Sequence, residues 1–174
     1  MIKGSKVGLR SIEEQDLDKL QSWRNNSELR VYFREYRELN KQNQYGWYNN
    51  VVSNSKNTIM FGIINLQTEN LIGACGLCYI DWINRSAELS VYIGEKKIYI
   101  DDIYATEATE LLETYGFEEV NLNRIWCEVY SFDEKKIKLL NEAGYILEGR
   151  LRSTHWTKGS WYDSYIYGKL LSEQ

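Results

Sequence analysis

Glu88 begins a β-rich run, Glu88-Leu89-Ser90-Val91-Tyr92-Ile93-Gly94, which leads through a short loop into a helix opening at Tyr104-Ala105-Thr106-Glu107-Ala108. A strand carboxylate can take a proton from a reacting amine, and the amides that open a helix lack internal partners and favour an anion. Chemistry gathers at such a junction. His155 is the only histidine, so no other side chain has an unperturbed pKa near neutrality. Its place beside Trp156, close to the Lys158-Gly159 turn, favours a surface or partner-packing role over that of a base. Cys75 and Cys78 form a C-x-x-C, but a metal site needs further Cys or His ligands and only His155 is at hand. The three cysteines therefore read as small core residues, and no metal is expected.

Several elements must position these groups. Val7 to Arg10 reads as an edge strand. Ser11 with Glu14 forms a capping box for a helix running to about Asn25, with Trp23 near its end. A second helix is predicted over Lys41 to Val52, after a loop from Tyr32 to Leu39 that mixes aromatics and charges. Thr58 to Leu66 and Leu71 to Ile83 flank the polar turn Gln67 to Asn70 and read as a hairpin. Asn84-Arg85-Ser86 turns the chain into the strand ending at Gly94. The helix Ala105 to Phe117 sets Ala108, Leu111, Leu112 and Tyr115 at helical spacing, which predicts one apolar face. Arg124 to Tyr130 is a strand, Asp133 to Ala143 a helix, and Tyr145 to Thr154 and Trp161 to Leu171 are strands joined at Lys158-Gly159-Ser160.

A length of 174 residues suits a single domain, residues 1–174, which can bury most of its apolar surface without staples. Lys and Arg number 21 against 25 Asp and Glu, and the net charge of -4 argues against a protein that holds nucleic acid by neutralising phosphates. The start, Met1 to Lys6, lacks the apolar core of a signal peptide, and no run nears the roughly twenty apolar residues of a membrane span. A soluble, cytoplasmic protein with no membrane partner is expected.

The segments Ala87 to Gly94, Tyr104 to Ala108, Asn121 to Ile125, Glu128 to Phe132 and Glu148 to Arg152 occur in an order and spacing that resemble the GNAT acetyltransferases, in the branch acting on ribosomal-protein N-termini and amino sugars. With Trp23-Arg24-Asn25 and Gly159 to Asp163 the resemblance covers nearly the whole chain. It implies an α/β fold with a mixed, mostly antiparallel sheet of about seven strands, one strand pair splayed, and about four flanking helices. It also implies acetyl-CoA as co-substrate and, as acceptor, a small-molecule amine such as an amino sugar nucleotide or a peptide N-terminus. A homodimer is compatible with it.

The resemblance further implies which residues bind and react. Glu88 becomes the general base, or alternatively a structural carboxylate held by an Arg such as Arg85. The backbone of Tyr92 and Ile93 would pair with the pantetheine amides. The pyrophosphate loop, Q/R-x-x-G-x-G/A in the family, aligns with Ile100-Asp101-Asp102-Ile103-Tyr104-Ala105, with Thr106 next, and only Ala105 keeps the pattern. An intact anion seat would need Asp101 and Asp102 to turn outward and cap the helix, and Ile103 would resist the positive φ that glycine supplies. Asp133 aligns with the pantetheine-binding Asn. Leu140 and Lys136 stand where a Tyr or Ser proton donor is usual, so Lys136 either contacts the cofactor or is a solvated helix residue. Trp23, Arg24, Tyr32, Phe33, Arg34 and Tyr36, with His155 on the final strand pair, form the expected acceptor pocket, or else a core with its ion-paired rim. The departures in the loop keep open a second expectation, a GNAT-fold binding or scaffold protein without acetyl transfer.

Overall fold

Ile125, Cys127 and Val129 are buried while Arg124, Trp126 and Glu128 are half-buried, so a period of two sets this segment as a strand with one face on the core. The computed structural model describes residues 1–173 and joins eight strands in one sheet. They are β1 (Ile2–Lys3), β2 (Val7–Ser11), β3 (Ile59–Asn65), β4 (Leu71–Asp81), β5 (Ser86–Ile93), β6 (Arg124–Tyr130), β7 (Ile146–Thr157) and β8 (Ser160–Leu170). Their spatial order is β1-β2-β3-β4-β5-β6-β8-β7, and every neighbouring pair is antiparallel except β5 and β6. The helices are α1 (Leu17–Asn25), α2 (Ser27–Arg30), α3 (Lys41–Trp47), α4 (Tyr104–Thr114) and α5 (Glu134–Glu142).

Eight strands replace the expected seven because Ile2–Lys3 pairs outside Val7–Ser11, which is therefore not an edge. The expected capping box at Ser11 and Glu14 is also displaced. Ser11 is drawn into the ladder opposite Phe61, and the box forms instead between Glu13 and Asp16. The Asp16 carboxylate accepts the Glu13 amide at 2.9 Å and is held by Arg10 at 2.7 Å. On α4 the buried face is Ala105, Ala108 and Leu112 with Thr109 and Glu113, whereas Leu111 and Tyr115 are only partly covered. Glu113 is compensated from β8, where Lys169 Nζ donates to its carboxylate at 2.7 Å and to the Ala143 carbonyl at 2.8 Å.

Lys158 and Gly159 both take positive φ, 49° and 77°, and close the β7–β8 hairpin in the turn geometry that suits twisted strands. Cys75 and Cys127 are buried thiols, and burial pushes Cys78 up to about 11, so none is a thiolate at neutral pH. Among the described residues no cluster of metal-ligating side chains forms. No helix is long and apolar enough to cross a membrane.

Candidate active site

The parallel ladder between β5 and β6 lasts only from Ser86 opposite Arg124 to Glu88 opposite Trp126, after which the two strands part. Glu88 thus stands at the fork. A cavity of about 840 Å³ opens there, walled by the diverging strands, the start of α5 and the loop after α2. Glu88 is buried, and Arg34 grips both of its oxygens, through Nη1 to Oε2 at 2.8 Å and through Nη2 to Oε1. The same Nη2 donates to Glu128 on β6 at 2.8 Å. Burial works against the Arg34 charge, but the two carboxylates outweigh it and raise its pKa. The partner of Glu88 is therefore Arg34; Arg85 is engaged by the Asn121 carbonyl at 2.7 Å.

Trp23-Arg24-Asn25 positions the loop that carries Arg34. The Trp23 ring is buried edge-on to Tyr92, with centroids 6.3 Å apart. Asn25 clamps the far end of the loop, accepting the Leu39 amide and donating to the Leu39 carbonyl, both at 2.8 Å. Glu35 receives Arg37 on both oxygens, at 2.8 and 2.7 Å, and that guanidinium holds it down to about 2. Arg24 lies over Phe33, 4.4 Å from the ring centroid, and both line the cavity.

Three expected acceptor residues fall elsewhere. Trp23 faces the core because its side of α1 packs on β5, Tyr36 is 82% exposed and outside the cavity, and His155 stacks on Tyr130 at 3.6 Å without reaching the cavity wall. Burial lowers the His155 pKa, so it is neutral at pH 7, with Nε2 unpartnered among the described residues. Tyr32 lines the cavity as expected, whereas sequence reasoning missed Glu128 and Tyr130 on its wall. The available signal for Glu128 was its place in the period of two of β6, where it shares a face with Arg124 and Trp126 away from the buried Ile125, Cys127 and Val129.

On the other side of the fork the chain turns back on itself. The Tyr99 carbonyl accepts the Ile93 amide at 2.7 Å, and the Tyr99 ring stacks on Tyr32 at 4.1 Å. The Ile93 amide is thus engaged inside the chain, contrary to the expected pairing with a pantetheine arm. Ile100 is buried, so it offers no group to a phosphate. Asp101 Oδ1 accepts the Ala105 amide at 2.7 Å, and Asp102 pairs with Lys138 at 2.8 Å. Only Asp101 acts as a cap. Ile103 has φ −122° and is half exposed; the expected strain of a positive φ is absent because the positive angles fall earlier, at Lys96 and Lys97. Tyr104 and Thr106 lie on the first turn of α4, which Glu107 fastens to the amides of Ser5, Lys6 and Val7 at 2.6, 2.8 and 2.8 Å. The Asp101 carboxylate and the Tyr99 carbonyl thus each hold one amide of the segments expected to meet acetyl-CoA, whose use as co-substrate the family relationship reported below supports.

Asp133 caps α5, accepting the Lys136 amide at 3.1 Å, and burial raises its pKa. Lys136 is not solvated. Its side chain is buried beside Cys127 and Tyr99 on the cavity wall, where the Leu139-Leu140 face of α5 meets the sheet. Leu140 is fully buried core.

A family model described as an acetyltransferase (GNAT) domain matches residues 9–166. The chain belongs to the GNAT acetyltransferase family. An uncharacterized N-acetyltransferase, p20, of Bacillus licheniformis is 37% identical over 113 residues, 65% of this chain and 62% of that protein. The match thus spans less than two thirds of that relative. The spermidine N(1)-acetyltransferase of Vibrio cholerae is 26% identical over 160 residues, 91% of this chain and 90% of the relative. A crystal structure of spermidine N-acetyltransferase from Vibrio cholerae, in complex with CoA and spermine, superposes with a TM-score of 0.88 at 26% identity, covering 98% of both chains. The GNAT fold of this chain is accordingly α/β, with the splayed pair β5 and β6 at its centre.

Proposed function

We propose that this GNAT chain transfers an acetyl group from acetyl-CoA to the primary amine of a small molecule seated in the cavity, with amino sugars as the first acceptor class and peptide N-termini as the second. The observation that carries this reading is the buried Glu88 at the fork of β5 and β6, opening directly onto the cavity. Arg34 fixes its orientation, and each carboxylate oxygen keeps a further lone pair for a water or an amine proton. Glu88 is read as the general base, Arg34 as the group that positions it, and Arg24 and Phe33 as part of the acceptor wall. The GNAT relatives named for spermidine support amine acetylation as the reaction class.

The test is to incubate the purified chain with acetyl-CoA and a panel of amino sugars, spermidine and short peptides, and to follow release of free thiol. Release with an amino sugar is expected. The self-filled loop favours one other reading, a binding protein of the same fold, and a panel with no thiol release would leave that reading standing.

The loop also gives a direct prediction. Asp101 places its carboxylate on the amide that opens α4, where it opposes an incoming phosphate. Asp101→Asn keeps a cap without the charge, so affinity for acetyl-CoA measured by calorimetry should rise by about three- to tenfold, the worth of one charge near a helix start. Unchanged affinity would show that the phosphates bind away from this turn.

A further inference from the structure

Arg24 is the one guanidinium on the cavity wall with no hydrogen bond or ion pair among the described residues. Its Nε is buried and unpartnered. The other two are engaged, Arg34 by Glu88 and Glu128 and Arg37 by Glu35. The Arg24 guanidinium carbon lies 4.4 Å from the Phe33 ring centroid, a contact that restrains the fork against the cavity wall. A buried donor of this kind calls for an acceptor atom.

The carboxylates of the same wall tell the complementary half. Glu88 has both oxygens on Arg34, Glu35 has both on Arg37, Glu128 receives Arg34, and Asp133 receives the Lys136 amide. Lys136 forms no ion pair within 4.0 Å among the described residues, although Asp133 and Glu88 lie near enough to favour its charge against burial, so Arg24 is the less compensated cation. Glu35 lies near enough to Arg24 to feel its charge, but its oxygens belong to Arg37. An amine entering this cavity meets carboxylates already engaged by Arg34, Arg37 or the Lys136 amide, whereas an oxyanion meets in Arg24 a guanidinium that no carboxylate claims.

We infer that the acceptor is a primary amine that also carries a phosphate or carboxylate, and that Arg24 binds this oxyanion; the inference rests on the acetyl-transfer reading above. Arg24 is thereby a specificity-determining residue, and it separates this chain from a polyamine enzyme.

Calorimetric binding to the full chain, without acetyl-CoA, tests it with four amines: glucosamine, glucosamine 6-phosphate, muramic acid and spermidine. The phosphate and carboxylate arms should each bind about tenfold or more tighter than neutral glucosamine, as a charge-assisted hydrogen-bonded contact gives. The better of the two names the oxyanion. In Arg24→Gln that preference should fall to about one, and in Arg24→Lys, which keeps the charge and loses the fork, it should fall partway. Thermal melting checks the fold, and if Arg24→Gln does not fold, Arg24→Lys decides. Spermidine binding tightest, no binding of either anionic amine, or a preference untouched in the variant that folds would each overturn the inference. An anionic amine that binds through Arg24 but is never acetylated would instead remove the acetyl-transfer reading and leave the oxyanion seat in place.

Discussion

Replacing Glu88 by Gln is expected to lower turnover by about a hundredfold or more while leaving acetyl-CoA affinity close to that of the wild type, as loss of a general base does. The geometry makes the substitution a sharp one. Gln matches the shape of Glu88 but carries no charge, and its amide nitrogen would confront an Nη of Arg34 where a carboxylate oxygen now accepts. Arg34 keeps Glu128 as a partner, so the variant should still fold. Glu128→Gln is the companion measurement. Glu128 shares Arg34 but stands on the opposite strand of the fork, so its loss should disturb turnover far less. Turnover measured against amine concentration separates the two, and equal losses in both variants would make the Arg34 cluster a structural clamp.

The second large effect lies far from the cavity. Lys169→Met should destabilise the fold by roughly 3–5 kcal/mol, because it strands the buried Glu113 carboxylate and removes a donor from the Ala143 carbonyl. For a chain of this length that is a melting temperature lower by about 10 °C or more. Glu113→Leu combined with Lys169→Met removes both charges together and should recover most of the loss, since an apolar pair of similar volume replaces a desolvated ion pair at little cost. Denaturant unfolding of the wild type and the two variants checks this. A double variant as unstable as the single one would show that packing around Tyr145, not charge, sets the loss.

How far the sequence carried these conclusions depends on the range of the interactions. The strand Arg124–Tyr130 and the hairpin of β3 and β4 were legible because a period of two and a polar turn are local signals. The start of the first helix was misread because Ser11, a good cap, is taken by its pairing with Phe61, a partner supplied by a distant strand. Trp23 was misplaced for a similar reason: aromatic and cationic neighbours look alike in sequence whether they line a pocket or a core, and only the packing of α1 on Tyr92 decides. The bond from Arg34 to Glu88 spans 54 residues and left no local trace. Lys136 did leave one, since it precedes Leu139 and Leu140 by the spacing of one helical face. Its burial could have been read from that stripe, and the charge alone argued otherwise.

The place of β8 between β6 and β7 has a consequence for how the chain is made. β6 ends at Tyr130, yet its neighbour on that side, Ser164 to Leu170, is synthesised after everything else in the sheet. Until those residues leave the ribosome, β6 presents a row of unpaired amides and carbonyls flanked by Ile125, Cys127 and Val129, a template on which other nascent chains can add. A chain cut short before Ser160 would keep that edge for good, and inclusion bodies are its natural fate.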